Sequence, residues 1–96
     1  MQGPIIVVAT ITARPGHREA VTAALKKAVL LVRSEPGCER YDLHRDDADA
    51  DRLVMLERWD SAEDLARHEQ GEPFKELVKE LTGRADLAVS KLEQLA

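Results

Sequence analysis

The sequence predicts an α+β domain in which one four-stranded antiparallel sheet carries its helices on a single face. Three observations point there. Short runs rich in β-branched residues, two of them with period-two alternation, are interleaved with stretches whose apolar residues recur at helical spacing. Pro-Gly pairs or single glycines punctuate the runs. With 96 residues, and no repeat, linker or low-complexity segment, the chain has room for a single domain, residues 1–96.

Ile5 to Thr12 (IIVVATIT) is apolar on both sides and stops before Pro15-Gly16, which predicts a central strand. From His17 to Arg33 the period changes. Ala20, Val21, Ala24, Leu25, Ala28, Leu31 and Val32 make an apolar stripe, with Arg18, Lys26, Lys27 and Arg33 largely opposite, and Pro36-Gly37 ends the helix. Cys38 to Arg45 alternates, Tyr41 and Leu43 on one face, Arg40, Asp42 and His44 on the other. After the polar turn Asp46–Asp51, Arg52 to Trp59 sets Leu53, Met55, Glu57 and Trp59 on one face and Val54 and Leu56 on the other, so the two runs predict a hairpin. Ser61 with Asp64 three residues on reads as an N-cap and capping-box pair, opening a short helix to about Gln70. Gly71 breaks it, Pro73 restarts it, and Phe74, Leu77, Val78 and Leu81 form the next stripe up to Thr82-Gly83. Leu87 to Leu95 supplies the last strand.

The order is that of the split βαβ, ferredoxin-like arrangement. Its helices cover one sheet face only. The other face still carries apolar residues, and a symmetric homodimer pressing two such faces together would bury them. A domain this short buries only about two-thirds of its unfolded surface, which adds to the case for a partner subunit.

Composition narrows the function. A formal net charge of −4 argues against nucleic acid as a partner. No apolar run approaches a membrane span, and the first residues lack a basic stretch followed by an apolar core. The single cysteine, Cys38, has no partner within the chain and reads as a small buried thiol, so a reducing, cytoplasmic location is expected. No paired-cysteine or H-E-x-x-H metal site is present. Asp47, Asp49 and Asp51 imitate the start of a calcium loop, but Arg52 stands where its glycine belongs and Arg58 where its glutamate belongs.

Glu35-Pro36-Gly37-Cys38, Tyr41, Leu43, Glu57-Arg58-Trp59-Asp60-Ser61, Asp64-Leu65 and His68 together resemble the antibiotic biosynthesis monooxygenase superfamily, in particular its small quinol-monooxygenase-like members. The resemblance runs over essentially the whole chain. It implies a dimeric α/β barrel with a cavity between sheet and helices in each subunit. It also implies oxygenation of a small hydroquinone-like or polyphenolic aromatic substrate by molecular oxygen, without metal or flavin. Two positions depart from relatives. The chain has no asparagine, so the triad of the haem-degrading members is not assembled, and Pro73 stands where many quinol-oxidising relatives carry a further histidine.

Oxygenation without a cofactor requires the substrate to supply the electrons, which a phenol does far better once deprotonated. The protein must then supply a base near neutrality, ring-facing apolar walls and exclusion of water. Histidine is the side chain whose ordinary pKa lies there. Of His17, His44 and His68, only His68 both follows Leu65 by three residues, on the same side of its helix, and matches the motif. It is the candidate catalytic residue; capping the last carbonyls of that helix is its alternative role. Trp59, Tyr41, Phe74 and Leu77 are the candidate pocket residues, each also able to serve simply as core. The corresponding alternative for the whole protein is a non-catalytic dimeric barrel that binds a small hydrophobic ligand in a stress-response or accessory role.

Overall fold

A computed structural model describes residues 3–96. Its elements are β1 (Ile5–Ala13), α1 (Arg18–Val32), β2 (Cys38–Arg45), β3 (Arg52–Trp59), α2 (Ala62–Glu69), α3 (Glu72–Leu81) and β4 (Ala85–Leu92). The strands form one antiparallel sheet in the order β2-β3-β1-β4, the ferredoxin-like topology, with the second helical segment split in two at Gln70–Gly71.

β1 is central, as its two-sided apolarity predicts. Val7, Ala9, Ile11 and Ala13 are buried beneath the helices, while Ile6, Val8, Thr10 and Thr12 are only partly covered on the opposite face. β3 repeats the pattern, with Leu53, Met55, Glu57 and Trp59 inward and Val54 and Leu56 outward. Val21, Ala24, Leu25, Ala28 and Val32 pin α1 to the sheet; Leu65, Leu77 and Leu81 do so for α2 and α3.

Three expectations are corrected. Leu31 and Ala20 are exposed, because the stripe on the sheet is narrower than the sequence pattern and Leu31 lies one step outside it. β4 begins two residues earlier than the pattern predicts and ends at Leu92, where its partner strand β1 runs out. Cys38 is half-buried, with its thiol pushed up from its ordinary value chiefly by burial. The helices leave β4 largely uncovered. Leu87 and Val89 pair with Ile11 and Ala9 and face the helical side, yet each is about half exposed.

Both Pro-Gly pairs make the same corner. Arg14 and Glu35 carbonyls accept from the backbone N–H groups of His17 and Cys38, with glycine third in each turn at φ +84° (Gly16) and +77° (Gly37). Proline second and a left-handed glycine third define a type II turn. Gly37 has a second reason to be glycine, because a Cβ there would overlap the Asp64 side chain. Gly37→Ala is therefore expected to destabilise the fold by about 2–3 kcal/mol, from left-handed backbone strain and a disturbed α2 cap. Urea denaturation checks it; a change within error would mean that the turn relaxes freely.

Candidate functional site

The site is built where the Glu35–Cys38 turn, the inner face of β3 and the split helix meet. Glu35 stays next to β3 because the turn is tied down at its far side, where the Gly37 carbonyl accepts from the Asp60 N–H at 2.8 Å. Ser61 caps α2 as its position predicts. Its Oγ accepts from the Asp64 N–H at 3.1 Å and donates to Asp64 Oδ2 at 3.0 Å. The cap fixes where α2 starts, and so which residue of its last turn points inward. That residue is His68, 4% exposed.

His68 does not cap its helix. Its Nδ1 lies 2.7 Å from Glu35 Oε1. A carboxylate only accepts, so Nδ1 carries a proton, and in the neutral imidazole Nε2 is then the acceptor. The imidazole is clamped by aromatics. Trp59 stacks on it with centroids 4.5 Å apart, and Tyr41 and Phe74 meet it edge-on at 5.7 and 5.2 Å. Trp59 in turn donates from Nε1 to Glu57 Oε1 at 2.9 Å. Glu35–His68 and Trp59–Glu57 are thus two polar pairs laid face to face.

An apolar cavity of about 70 Å³ lies between the sheet and the helices, bordered by Tyr41, Glu57, His68, Phe74 and Leu77, with its open side toward Leu87 and Val89. Four of the five residues singled out from sequence meet there. Trp59 does not border it; fully buried, it forms the layer behind His68. Among the described residues every fully buried side-chain nitrogen and oxygen has a hydrogen-bond partner. His68 Nε2, Tyr41 Oη and Glu57 Oε2 have none, so each retains some accessible surface, and all three residues share the cavity as a neighbour.

Two of these groups are shifted. Burial, reinforced by the Glu57 and Glu35 carboxylates, pushes the Tyr41 phenol well above its ordinary value, so it remains a donor. Burial raises Glu57 from an ordinary 4.5 to about 7, with the Trp59 hydrogen bond opposing and Glu69 adding to the rise. The sign follows: the neutral form is favoured in the folded state, so the stability it contributes is present below about 4.5 and lost as pH rises through about 7.

Glu57 and Glu35 are the candidate site residues to which sequence reasoning gave no role beyond the motif. The signal for Glu57 was a carboxyl on the otherwise apolar inward face of β3; Glu35 opens the Glu35–Cys38 motif, but its contact with a residue 33 positions away has no local signal. His44 is exposed, its Nδ1 3.1 Å from the Asp42 carbonyl, and His17 sits at the start of α1 without capping it. The Asp46–Asp51 aspartates serve their own turn: Asp46 and Asp49 accept from the Ala48 and Asp51 N–H groups and pair with Arg52. Among the described residues no three His, Cys, Asp or Glu side chains group as a metal site, and no helix is long and apolar enough to cross a membrane.

A ferredoxin-like domain with a small apolar cavity under its helices, bordered by an imidazole, a phenol and a carboxyl, has the form of a small-molecule site. The family model for antibiotic biosynthesis monooxygenase matches residues 4–80. The chain belongs to that family. It is 34% identical over 89 residues to the "probable quinol monooxygenase YgiN" of Escherichia coli, covering 82% of this chain and 86% of that protein. It is 27% identical over 95 residues to the uncharacterised Synechocystis protein sll1783, of whose length it spans 65%. Among solved structures it resembles PA3566 of Pseudomonas aeruginosa (TM-score 0.93, 36% identity, 100% and 98% of the two chains). Rv0793 of Mycobacterium tuberculosis is similar too (0.93, 28%, 98% and 97%).

Proposed function

We propose that this chain is a cofactor-independent monooxygenase of a small hydroquinone-like or polyphenolic aromatic. The observation that carries the reading is His68: buried, its Nδ1 committed to Glu35, its Nε2 left as an acceptor beside an apolar cavity. A substrate hydroxyl donates to Nε2 and passes its proton there, the bonding pair staying on oxygen. The phenolate then reduces dioxygen, and recombination places one oxygen atom on the ring. The balance closes without an external reductant, since hydroquinone and dioxygen give hydroxyquinone and water. Glu35 stabilises the imidazolium, Phe74 and Leu77 exclude water, Tyr41 offers a hydroxyl, and Trp59 holds the imidazole in place from behind.

The test is oxygen uptake by metal-free protein across a panel of hydroquinones and anthrones. Uptake with stoichiometric hydroxylated product is expected; none across the panel would overturn the reading. The cavity's size bears on the second reading, a non-catalytic carrier of a small hydrophobic ligand, as much as on the first. A dry cavity of about 150 Å³ accepts benzene, and this cavity holds about 70 Å³. An aromatic guest must therefore protrude past Leu87 and Val89 or shift Phe74, and ligand binding without oxygen uptake would favour the carrier.

The homodimer belongs to the same proposal. Ile6, Val8, Val54 and Leu56 form an outer sheet face that no helix covers, and a second copy would bury it. Sedimentation is expected to give twice the chain mass at micromolar concentration; a stable lone subunit would contradict it. The unpaired thiol of Cys38 is the ground for placing the protein in the cytoplasm.

A further inference from the structure

We infer that Glu57 is a second proton acceptor of the pocket, contacting a substrate hydroxyl that His68 does not reach, so that the site selects aromatics carrying two hydroxyls. The inference rests on the reading of the pocket as an aromatic site and adds a residue to it.

The geometry carries it. Glu57 is 7% exposed, on the inner face of β3, in the middle of apolar neighbours. One carboxyl oxygen is fastened by Trp59 Nε1, so the group has a fixed orientation. The other, Oε2, takes no part in that bond and, since every fully buried side-chain oxygen among the described residues is partnered, keeps accessible surface where the residue borders the cavity. An accessible carboxyl oxygen at the edge of an apolar cavity is placed to accept from a ligand hydroxyl.

Its surroundings fit a group that changes protonation when a ligand arrives. Tyr41 faces it from β2, directly across the sheet, as a phenol donor. From α2 come His68 and Glu69, the latter paired with Lys91 of β4 at 3.1 Å. β1 contributes Val7 opposite, and α3 contributes Phe74 and Leu77, none of which titrates. Glu57 ionises near neutrality in this setting, where a hydroxyl donated to it gains the strength of a charge-assisted bond. The transfer moves one proton from a hydroxyl to Oε2, breaking an O–H bond and forming another, with the electron pair left on the substrate oxygen. His68 and Glu57 then take one proton each from a dihydroxyarene.

Anaerobic titration tests this independently of turnover, followed by the fluorescence of Trp59, the sole tryptophan. The probes are hydroquinone and 4-methoxyphenol, which lacks the second hydroxyl. Wild-type protein is expected to prefer hydroquinone by about tenfold at pH 8 and to lose most of that preference at pH 6, where Glu57 is neutral. Glu57→Gln keeps the size and the bond to Trp59, and is expected to show little preference at either pH. A wild-type preference absent at pH 8, or one retained by Glu57→Gln, would overturn the assignment. The wild-type measurement stands even if the variant folds poorly. Failure of both probes to bind would remove the aromatic-site reading and this inference together, whereas binding with the expected preference but no oxygen uptake would leave Glu57 in place and remove only the oxygenase.

Discussion

Replacing His68 with alanine is expected to lower the rate of oxygen uptake by about 10²–10⁴-fold, the usual contribution of a positioned proton acceptor. The loss should fall mainly on kcat, because Phe74 and Leu77, the apolar lining that would hold a ring, are untouched. Truncation also opens a slot the size of an imidazole between Trp59 and Phe74, which bracket the ring at 4.5 and 5.2 Å. Added imidazole should enter it and restore part of the rate. That rescue separates a chemical role from a packing role, since a merely structural histidine would leave nothing for free imidazole to repair. Uptake unchanged in His68→Ala would remove the residue from the mechanism.

The largest effect on stability is expected at Trp59. Trp59→Ala should cost about 3–5 kcal/mol, as deletion of large buried aromatics does. In a domain of this length that corresponds to a fall of roughly 15–30 °C in Tm. Trp59 has no exposed surface, stacks on His68, meets Tyr41 edge-on at 6.5 Å and donates the one hydrogen bond that Glu57 receives. Its removal leaves a void and an orphaned carboxyl at once, and ionising that carboxyl should make the loss greater above pH 7 than below it. Circular dichroism at pH 6 and 8 checks both parts. A loss under 1 kcal/mol would show that the sheet collapses into the space.

Much of this architecture was legible in the residues because its signals are local. β-branched two-sided apolarity placed β1 at the centre, Ser61 announced the start of α2, and two Pro-Gly pairs marked where chain direction reverses. The end of β4 was not legible, since it depends on where β1 stops offering partners. The site was half legible. His68 stood out by residue type and helical phase, and Tyr41, Phe74 and Leu77 by face. The partner that orients the imidazole comes from a turn on the far side of the hairpin, a contact that exists only once the sheet has formed. Glu57 was in plain view on an inward strand face, but that its carboxyl accepts from the buried Trp59 N–H and borders a cavity shows only once the strands and helices are assembled.

The interruption at Gln70–Gly71 has a mechanical consequence. It divides what would be one rod into two short ones, the first bearing the imidazole and the second bearing Phe74 and Leu77. The stiff member is anchored at its front by the Ser61 cap and at its rear by Glu35, whereas the other starts at a glycine with no side-chain tether. Such a joint gives the two rods separate directions, so that one wall of the hollow takes its imidazole from the first and its apolar lining from the second.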